Sequence, residues 1–318
     1  MLHVSLRQWQ VFVQTAALGS LRAAAAVLHI TQPAASMALT EMERLLGAPL
    51  FDRERNRLRL NPLGRQLLSP AQDLLARHAE LERIASGNVA ALSGELHIGA
   101  SNTVGNYLNS ELLGGFMRAH PQVTLQLRVG NTGDIARAVV DHQLDAGCVE
   151  GPTLLPGLQT LAWRDDRLVI CAAPTHPLTA LAAARPLRPR DFHGQRWILR
   201  EPNSATRALS EQALMKLPPP AGILELSQTE AIKQAVKAGL GIAFLPTVAI
   251  GDELAAMRLT VLPTPFLDLR RQITVLLRRG RYRGAVLDAF LNSLSLQPDA
   301  PAKTGSPKSS PSDPAQTG

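Results

Sequence analysis

Residues 20–47, SLRAAAAVLHITQPAASMALTEMERLLG, decide the fold of the first part of the chain. Leu21, Ala24, Ala25 and Leu28 recur with helical spacing, so a short amphipathic helix follows Ser20. His29 and Ile30 interrupt the pattern. Thr31 is a good N-cap, and Pro33 falls in the next first turn, where its missing N–H costs nothing. A second helix therefore runs from there to Gly47, with Leu39, Met42, Leu45 and Leu46 facing inward. Two short helices joined by a tight turn form a helix-turn-helix, placed at about residues 21–40.

The opposite face of the second helix carries Gln32, Pro33, Ser36, Met37, Thr40 and Arg44. These are mostly small or hydrogen-bonding groups near a helix start, the part of a recognition helix that enters a major groove. Gln32 can pair with adenine in two places and Ser36 can reach base or phosphate. Ser20, Arg22 and Thr31 complete the predicted DNA face; an ordinary solvated helix face is the bland alternative. Upstream, Leu6, Trp9, Phe12, Val13 and Ala16 give one more helix, closed by Gly19. Downstream, from Pro49 to Leu60, the period drops to two, with Leu58 and Leu60 alternating with Arg57 and Arg59. That spacing predicts a two-stranded wing. Arg53, Arg55 and Arg57, with Arg59, form the densest basic cluster of the chain, suited to phosphates. Beyond Pro62, Leu60, Leu67, Leu74 and Leu81 recur every seven residues, with Leu63 and Ile84 beside them. This predicts a linker helix over residues 62–92 that pairs subunits through Leu67, Leu74, Leu81 and Ile84. The other reading is a helix packed on its own domain, and Pro70 counts against an unbroken coil.

Gly19-Ser20, Ala24-Ala25, Thr31-Gln32-Pro33-Ala34-Ala35-Ser36, Glu43, Leu46-Gly47, Leu50-Phe51, Arg53 and Pro62-Leu63-Gly64 hold register across some sixty residues. In that register the chain resembles the N-terminal signature of LysR-type transcriptional regulators. Met37 departs from the pattern, standing where many relatives have a polar or basic side chain.

After Ser93-Gly94 the pattern changes again, to alternating strands and helices: ELHIGA, a helix from Asn106 to His120, VTLQLRV, a helix from Asp134, LDAGCVE. A second set follows from about Leu168, then a strand at LRRQITVLLRR (269–279) and a last helix through about Leu294. Such alternation predicts an α/β domain with a mostly parallel sheet. The region is similar to the family's effector-binding part, which resembles a periplasmic solute-binding protein. The resemblance implies two lobes, the first over residues 93–164 and 266–297 and the second over 165–265. The expected organisation is therefore an N-terminal all-α winged helix-turn-helix (1–61), a linker helix (62–92) and a two-lobed α/β domain (93–297). Residues 298–318 are rich in Pro and Ser and poor in large apolar side chains, and read as a disordered tail.

Within the second region, GASNTVGNYL (99–108), VGNTGDI (129–135), VEGP (149–152), ILREPNSATR (198–207) and LSQTEAIKQAVKAGLGIAFLP (226–246) resemble regulators of sulfite reductase and other sulfur genes. Ser101, Asn102 and Thr103 follow a strand and precede a helix, as do Ser204 and Thr206 in the other half. Such loops aim N–H groups and hydroxyls at one point, an anion site, although the same residues serve as plain helix caps. Asn131, Thr132, Glu150 and Thr229 complete the predicted effector set. Glu150 and Glu201 would repel an anion unless Arg200 or Arg207 offsets them. The resemblance nominates sulfite or a related sulfur anion, with a small carboxylic acid as runner-up.

Composition fits this picture. The chain has 318 residues, 45% of them hydrophobic and 19% charged, with a net charge of +7, a mean hydropathy near zero and a pI near 10.1. A folded two-domain chain with a polyanionic partner is the consequence. No stretch reaches about 18 continuous apolar residues, and the N-terminus lacks a secretory pattern. Cys148 and Cys171 lie in apolar runs without metal-ligand spacing and read as buried thiols. A bacterial cytoplasmic, nucleoid-associated location is therefore expected. No G-x-S-x-G, P-loop, H-E-x-x-H or C-x-x-C occurs, and Gly239-Leu240-Gly241 lacks the third glycine of a dinucleotide site, so no enzyme and no cofactor is predicted. The partners expected are double-stranded DNA with a dyad-symmetric operator, a small anionic effector bound without metal, and further copies of the chain, as dimers that pair into tetramers. The competing class is a solute-binding protein of a transport system, which would need a signal peptide and would lack the helix-turn-helix.

Overall fold

The computed structural model describes residues 3–54, 57–85, 92–151, 153, 155–294 and 296. Arg55, the tail 298–318 and the side chains of Arg53 and Ile84 lie outside the described residues.

The N-terminal part consists of α1 (Leu6–Leu18), α2 (Leu21–Val27), α3 (Gln32–Leu46), β1 (Phe51–Glu54), β2 (Arg57–Leu60) and α4 (Pro62–Ala85). Each boundary has a local cause. The Ser5 and Gln8 side chains form a capping box on α1, and Gly19 ends it at φ 63°. The Ser20 and Thr31 hydroxyls accept from Ala23 N and Ala34 N to start α2 and α3. Val11, Phe12, Ala25, Ala35, Leu39, Met42, Leu50 and Phe51 close a separate small core. Antiparallel β1 and β2 pair Phe51 with Leu60 and Asp52 with Arg59. At Gly64, a Cβ would stand 2.3 Å from the Leu50 carbonyl oxygen, so only glycine lets α4 start this close to the wing.

The α/β part adds β3 (Gly94–Ser101), α5 (Asn102–Tyr107), α6 (Asn109–Ala119), β4 (Val123–Gly130), α7 (Thr132–Val140), β5 (Ala146–Glu150) and β6 (Leu158–Ala172). It continues through α8 (Pro177–Ala184), β7 (Arg196–Leu199), α9 (Ala205–Leu214), β8 (Gly222–Glu225), α10 (Thr229–Lys237) and β9 (Ile242–Pro246). Last come α11 (Gly251–Ala255), β10 (Thr260–Leu262), β11 (Arg270–Arg278) and α12 (Ala285–Ser293). The sheet order is β4-β3-β5-β11-β6-β9-β7-β8, with β10 on β6. Strands β3, β4 and β5 are parallel, as are β7, β8 and β9. The antiparallel pair β6 and β11 joins the two groups. Each group has its own core: Leu96, Ile98, Phe116, Val275 and Phe290 in the first, Leu168, Phe192, Trp197, Phe244 and Leu262 in the second. The result is two α/β lobes. Strand β6 crosses between them, pairing with β11 from Leu158 to Arg167 and with β9 from Leu168 to Cys171.

Two details depart from the sequence pattern. The helix predicted from Asn106 to His120 is two helices broken at Leu108, whose φ of −120° is not helical. The heptad of leucines does not form one seam either. Leu60 belongs to β2, and Leu67 packs with Leu63 and Leu68 against the N-terminal core, because the first turns of α4 lie across α1. Leu74 and Leu81 are 44% and 65% exposed, and α4 passes through Pro70 as one helix.

Candidate DNA interface and effector cleft

Helix α3 buries Ala35, Leu39 and Met42 and leaves Gln32, Pro33, Met37, Thr40 and Arg44 exposed, with Ser36 half-buried. Spacing of three and four residues puts the two sets on opposite faces. Met37 stands out at 74% exposed, an apolar side chain on an otherwise polar face. Thr31 and Ser20 use their oxygens as helix caps, which leaves each hydroxyl proton free to donate to a phosphate. Arg44 is held by Glu41 through Nε at 2.6 Å, so its charge is shared along the helix. Arg22 is exposed on α2, and Arg57 is exposed on β2 while Leu58 and Leu60 turn inward. A polar helix face beside a basic hairpin is the footprint of a duplex.

Helix α4 also leans on the first lobe. Arg77 lies 4.4 Å above the Tyr282 ring, the Tyr282 hydroxyl donates to Glu80, and Arg281 approaches Asp73 at 3.9 Å while holding Asp145 at 2.7 Å. These contacts fasten the first lobe to the helix that carries Leu74 and Leu81.

Between the lobes lies a polar cluster that is almost wholly buried. Its centre is Arg271 on β11, 4% exposed at the side chain. Its Nε donates to Asp166 Oδ2 at 2.7 Å, its Nη1 to Thr206 Oγ1 at 2.9 Å and its Nη2 to Thr103 Oγ1 at 3.4 Å. Glu150 Oε1 stands 3.5 Å from Nη2. One guanidinium thus touches α5 and β5 of the first lobe, α9 of the second and the crossing strand β6. Closing the lobes buries these groups together, and an unpaired charge there is costly, so they hold one another.

The remaining predicted residues sort by what their polar atoms do. Ser101 and Asn131 accept from Val104 N and Asp134 N as helix caps, and Asn102 Nδ2 reaches the Gly130 carbonyl at 3.5 Å. Thr132 Oγ1 accepts from Ala205 N across the cleft, and Gly133 N donates to the Asn203 carbonyl at 3.1 Å. Ser204 is buried and makes no cap bond, although it precedes α9. Thr229 Oγ1 is 3.5 Å from Arg200 Nη1. A groove of about 520 Å³ opens at this mouth, lined by Thr132, Gly133 and Arg137 from one lobe and by Asn203, Ser204 and Ala208 from the other.

Arg200 and Arg207 do not face Glu150. Arg200 holds Glu201 through two bonds of 2.7 and 2.8 Å, and Arg207 is committed to Glu211, Glu225 and the Arg200 carbonyl. Arg271 and Asp166 do face it, and neither stands out in the sequence. Arg271 is one of four arginines in LRRQITVLLRR. The usable signal was strand parity, which puts it on the face of Ile273, Val275 and Leu277, all in the core. Farther along the cleft, the Tyr107 hydroxyl donates to Glu230 at 2.5 Å. Lys233 Nζ joins Glu230, Glu253 and the Ala249 carbonyl beneath the Tyr107 ring. Burial first, and then the bond to Glu230, pushes the Tyr107 pKa up and keeps the phenol protonated.

Cys148 and Cys171 are buried, and burial pushes both thiols up to about 12, so neither is a nucleophile at neutral pH. Among the described residues no group of His, Cys, Asp and Glu could hold a metal ion, and no helix is long and apolar enough to cross a membrane.

Comparison with known proteins agrees with this two-part geometry. Residues 6–65 match the family described as bacterial regulatory helix-turn-helix protein, lysR family, and residues 90–297 match the LysR substrate binding domain. The chain is 36% identical over 292 residues to the uncharacterized HTH-type transcriptional regulator YeiE of Escherichia coli (strain K12), covering 92% of this chain and 97% of that one. A full-length OxyR variant from Pseudomonas aeruginosa shares the fold, with a TM-score of 0.75 at 24% identity over 92% of this chain and 95% of that one. The CcmR regulatory domain from Synechocystis PCC6803, in complex with 2-PG, superposes with a TM-score of 0.58 at 26% identity, covering 64% of this chain and 96% of that one. These relatives are regulators, not enzymes. An N-terminal helix-turn-helix domain joined to a two-lobed α/β domain, with both halves matched, places this chain in the LysR family of DNA-binding transcriptional regulators.

Proposed function

We propose that this regulator reads bases with Gln32, Ser36, Met37 and Thr40 of α3, anchors phosphates with Ser20, Arg22, Thr31 and the arginines of the wing, and senses a small acidic molecule between its lobes. The observation that carries the sensing role is the cluster around Arg271, where both lobes meet on buried polar groups rather than on apolar ones. A polar lobe interface of this kind is worth its desolvation when a ligand completes it. The CcmR regulatory domain holds 2-PG, a precedent for a small ligand on this architecture.

The sulfur-gene resemblance of residues 99–108, 129–135 and 198–207 nominates sulfite or another sulfur anion. The small carboxylic acid is the alternative; it too is an anion, so either ligand needs Arg271 to offset the acidic neighbours Glu150 and Asp166. We place subunit pairing on Leu74 and Leu81 of α4, with dimers pairing into tetramers on a dyad-symmetric site in the cytoplasmic DNA. The domain limits 1–61, 62–92 and 93–297 belong to the same proposal. A transport role is disfavoured by the helix-turn-helix match.

Footprinting on the DNA flanking the protein's own gene tests the reading, with and without added small acids. A protected dyad whose extent or bending changes with one of the acids supports it. No protection under any condition, or protection indifferent to every acid and to Thr206→Ala, contradicts it.

A further inference from the structure

We infer that Met37 is a specificity-determining residue that reads the C5-methyl group of a thymine in the major groove. This rests on the assignment of α3 as the recognition helix proposed above and names what one position of that helix recognises. The starting point is a side chain the fold does not use. The N-terminal core takes Ala35, Ala38, Leu39, Met42 and Leu46 from α3 and leaves Met37 outside it. At 74% exposed, Met37 forgoes the stabilisation that burial of a methionine side chain brings, and it does so on the face shared with Gln32, Ser36 and Thr40.

Its neighbours on the helix narrow the chemistry. From Gln32 to Thr40 the sequence QPAASMALT holds no ionised side chain. One turn back, Pro33 and Ala34 are exposed and apolar as well. One turn on, Glu41 is held by Arg44, through Nε at 2.6 Å and through Nη2 at 2.5 Å. Guanine is most often read by the paired donors of an arginine or by a lysine, and this half of α3 has neither. Adenine calls for an amide such as that of Gln32, and cytosine for a strong acceptor, whereas a thioether is only a weak one. What remains for Met37 is the thymine methyl, the apolar group that a base edge presents in the major groove. Methionine suits it, because a long, unbranched and polarisable side chain settles on an apolar group without a fixed geometry. One methyl group removed from water in this way is worth about fourfold in affinity. A 5-methylcytosine carries the same methyl, so the test separates the two sources.

The test begins with full-length protein and a selection from random unmodified duplexes. The selected duplex is then remade with deoxyuridine in place of one thymine at a time, which removes the methyl and leaves the hydrogen-bonding edge intact. Affinities are read by anisotropy for the parent, Met37→Ala and Met37→Gln; the position lies outside the core, so all three should melt alike. At one thymine of each half-site the parent should lose about fourfold per methyl removed, and about 15-fold when both half-sites carry uracil. Both variants should bind thymine and uracil there equally, and uracil at the other thymines should act alike on all three proteins. Finding no thymine whose methyl matters more to the parent than to the variants overturns the inference. A 5-methylcytosine–guanine pair bound more tightly than thymine–adenine at that place assigns the methyl to a modified cytosine and overturns it as well. Discrimination kept in Met37→Ala but lost in Gln32→Ala leaves recognition by α3 standing while the role of Met37 falls. A parent protein that enriches no sequence removes both.

Discussion

Replacing Arg271 by methionine, which keeps the length and apolar stem but removes the guanidinium, tests how the lobes are held. In the parent protein Arg271 bonds to Asp166 at 2.7 Å and to Thr206 at 2.9 Å and stands 3.5 Å from Glu150, with Arg271 and Glu150 at 4% and 3% side-chain exposure. The variant therefore leaves two carboxylates buried with no cation beside them among the described residues. Removing one partner of a buried ion pair costs about 3–5 kcal/mol, most of it the orphaned charge. In a domain of this size 1 kcal/mol moves the melting temperature by about 2–4 °C, so the lobed domain should melt about 6–20 °C earlier in scanning calorimetry. The triple variant Glu150→Gln, Asp166→Asn, Arg271→Met removes the charges together and should recover at least half of the loss. The N-terminal core is separate from this site, so nonspecific DNA binding at low temperature should persist. A loss below about 1 kcal/mol, or no recovery in the triple variant, refutes the claim that Arg271 is the electrostatic tie between the lobes.

Arg57→Ala should weaken binding to every duplex alike and flatten the salt dependence by about one unit of slope, measured by anisotropy titrations at several salt concentrations. Leu74→Glu combined with Leu81→Glu should dissociate the dimer in light scattering at low micromolar concentration, whereas Leu67→Glu should destabilise the N-terminal domain, because that half-buried leucine packs against its core. His142 is pulled down to about 4 by desolvation and then by Arg278 and Arg281, and both ring nitrogens are buried without partners. Its unfolded form binds a proton at its ordinary 6.5, so between about 6.5 and 4 the unfolded state holds more protons and stability falls as the pH drops. His142→Phe should remove that part of the acid sensitivity in urea melts taken across the window.

The sequence carried the helix-turn-helix and the wing because their causes are local. Ser20, Thr31 and Gly47 sit at the helix ends where capping needs them, and the alternation of Leu58 and Leu60 with Arg57 and Arg59 survives as a strand with one face inward. The helix break at Leu108 was hidden because Leu108, Leu112 and Phe116 keep helical spacing across it. The leucine heptad misled for a related reason. Spacing shows that one face of α4 is apolar, but not that its first half spends that face on α1. In the cleft, Thr103 and Thr206 were legible as residues of strand-to-helix loops, whereas Arg271 and Asp166 come together only through the pairing of β11 with β6, across 105 residues of sequence. Nonlocal pairing of this kind leaves no mark on local pattern beyond strand parity.

Recognition of a specific DNA sequence through the exposed face of α3 is open to one quantitative footprinting titration of the parent, Gln32→Ala and Ser36→Ala proteins on the same flanking DNA, with random duplex as competitor. The parent should give a dyad-symmetric footprint. At least one variant should lose about 1–3 kcal/mol of discrimination with nonspecific affinity unchanged. A footprint of the same extent and the same discrimination in all three proteins would rule out base readout by this face.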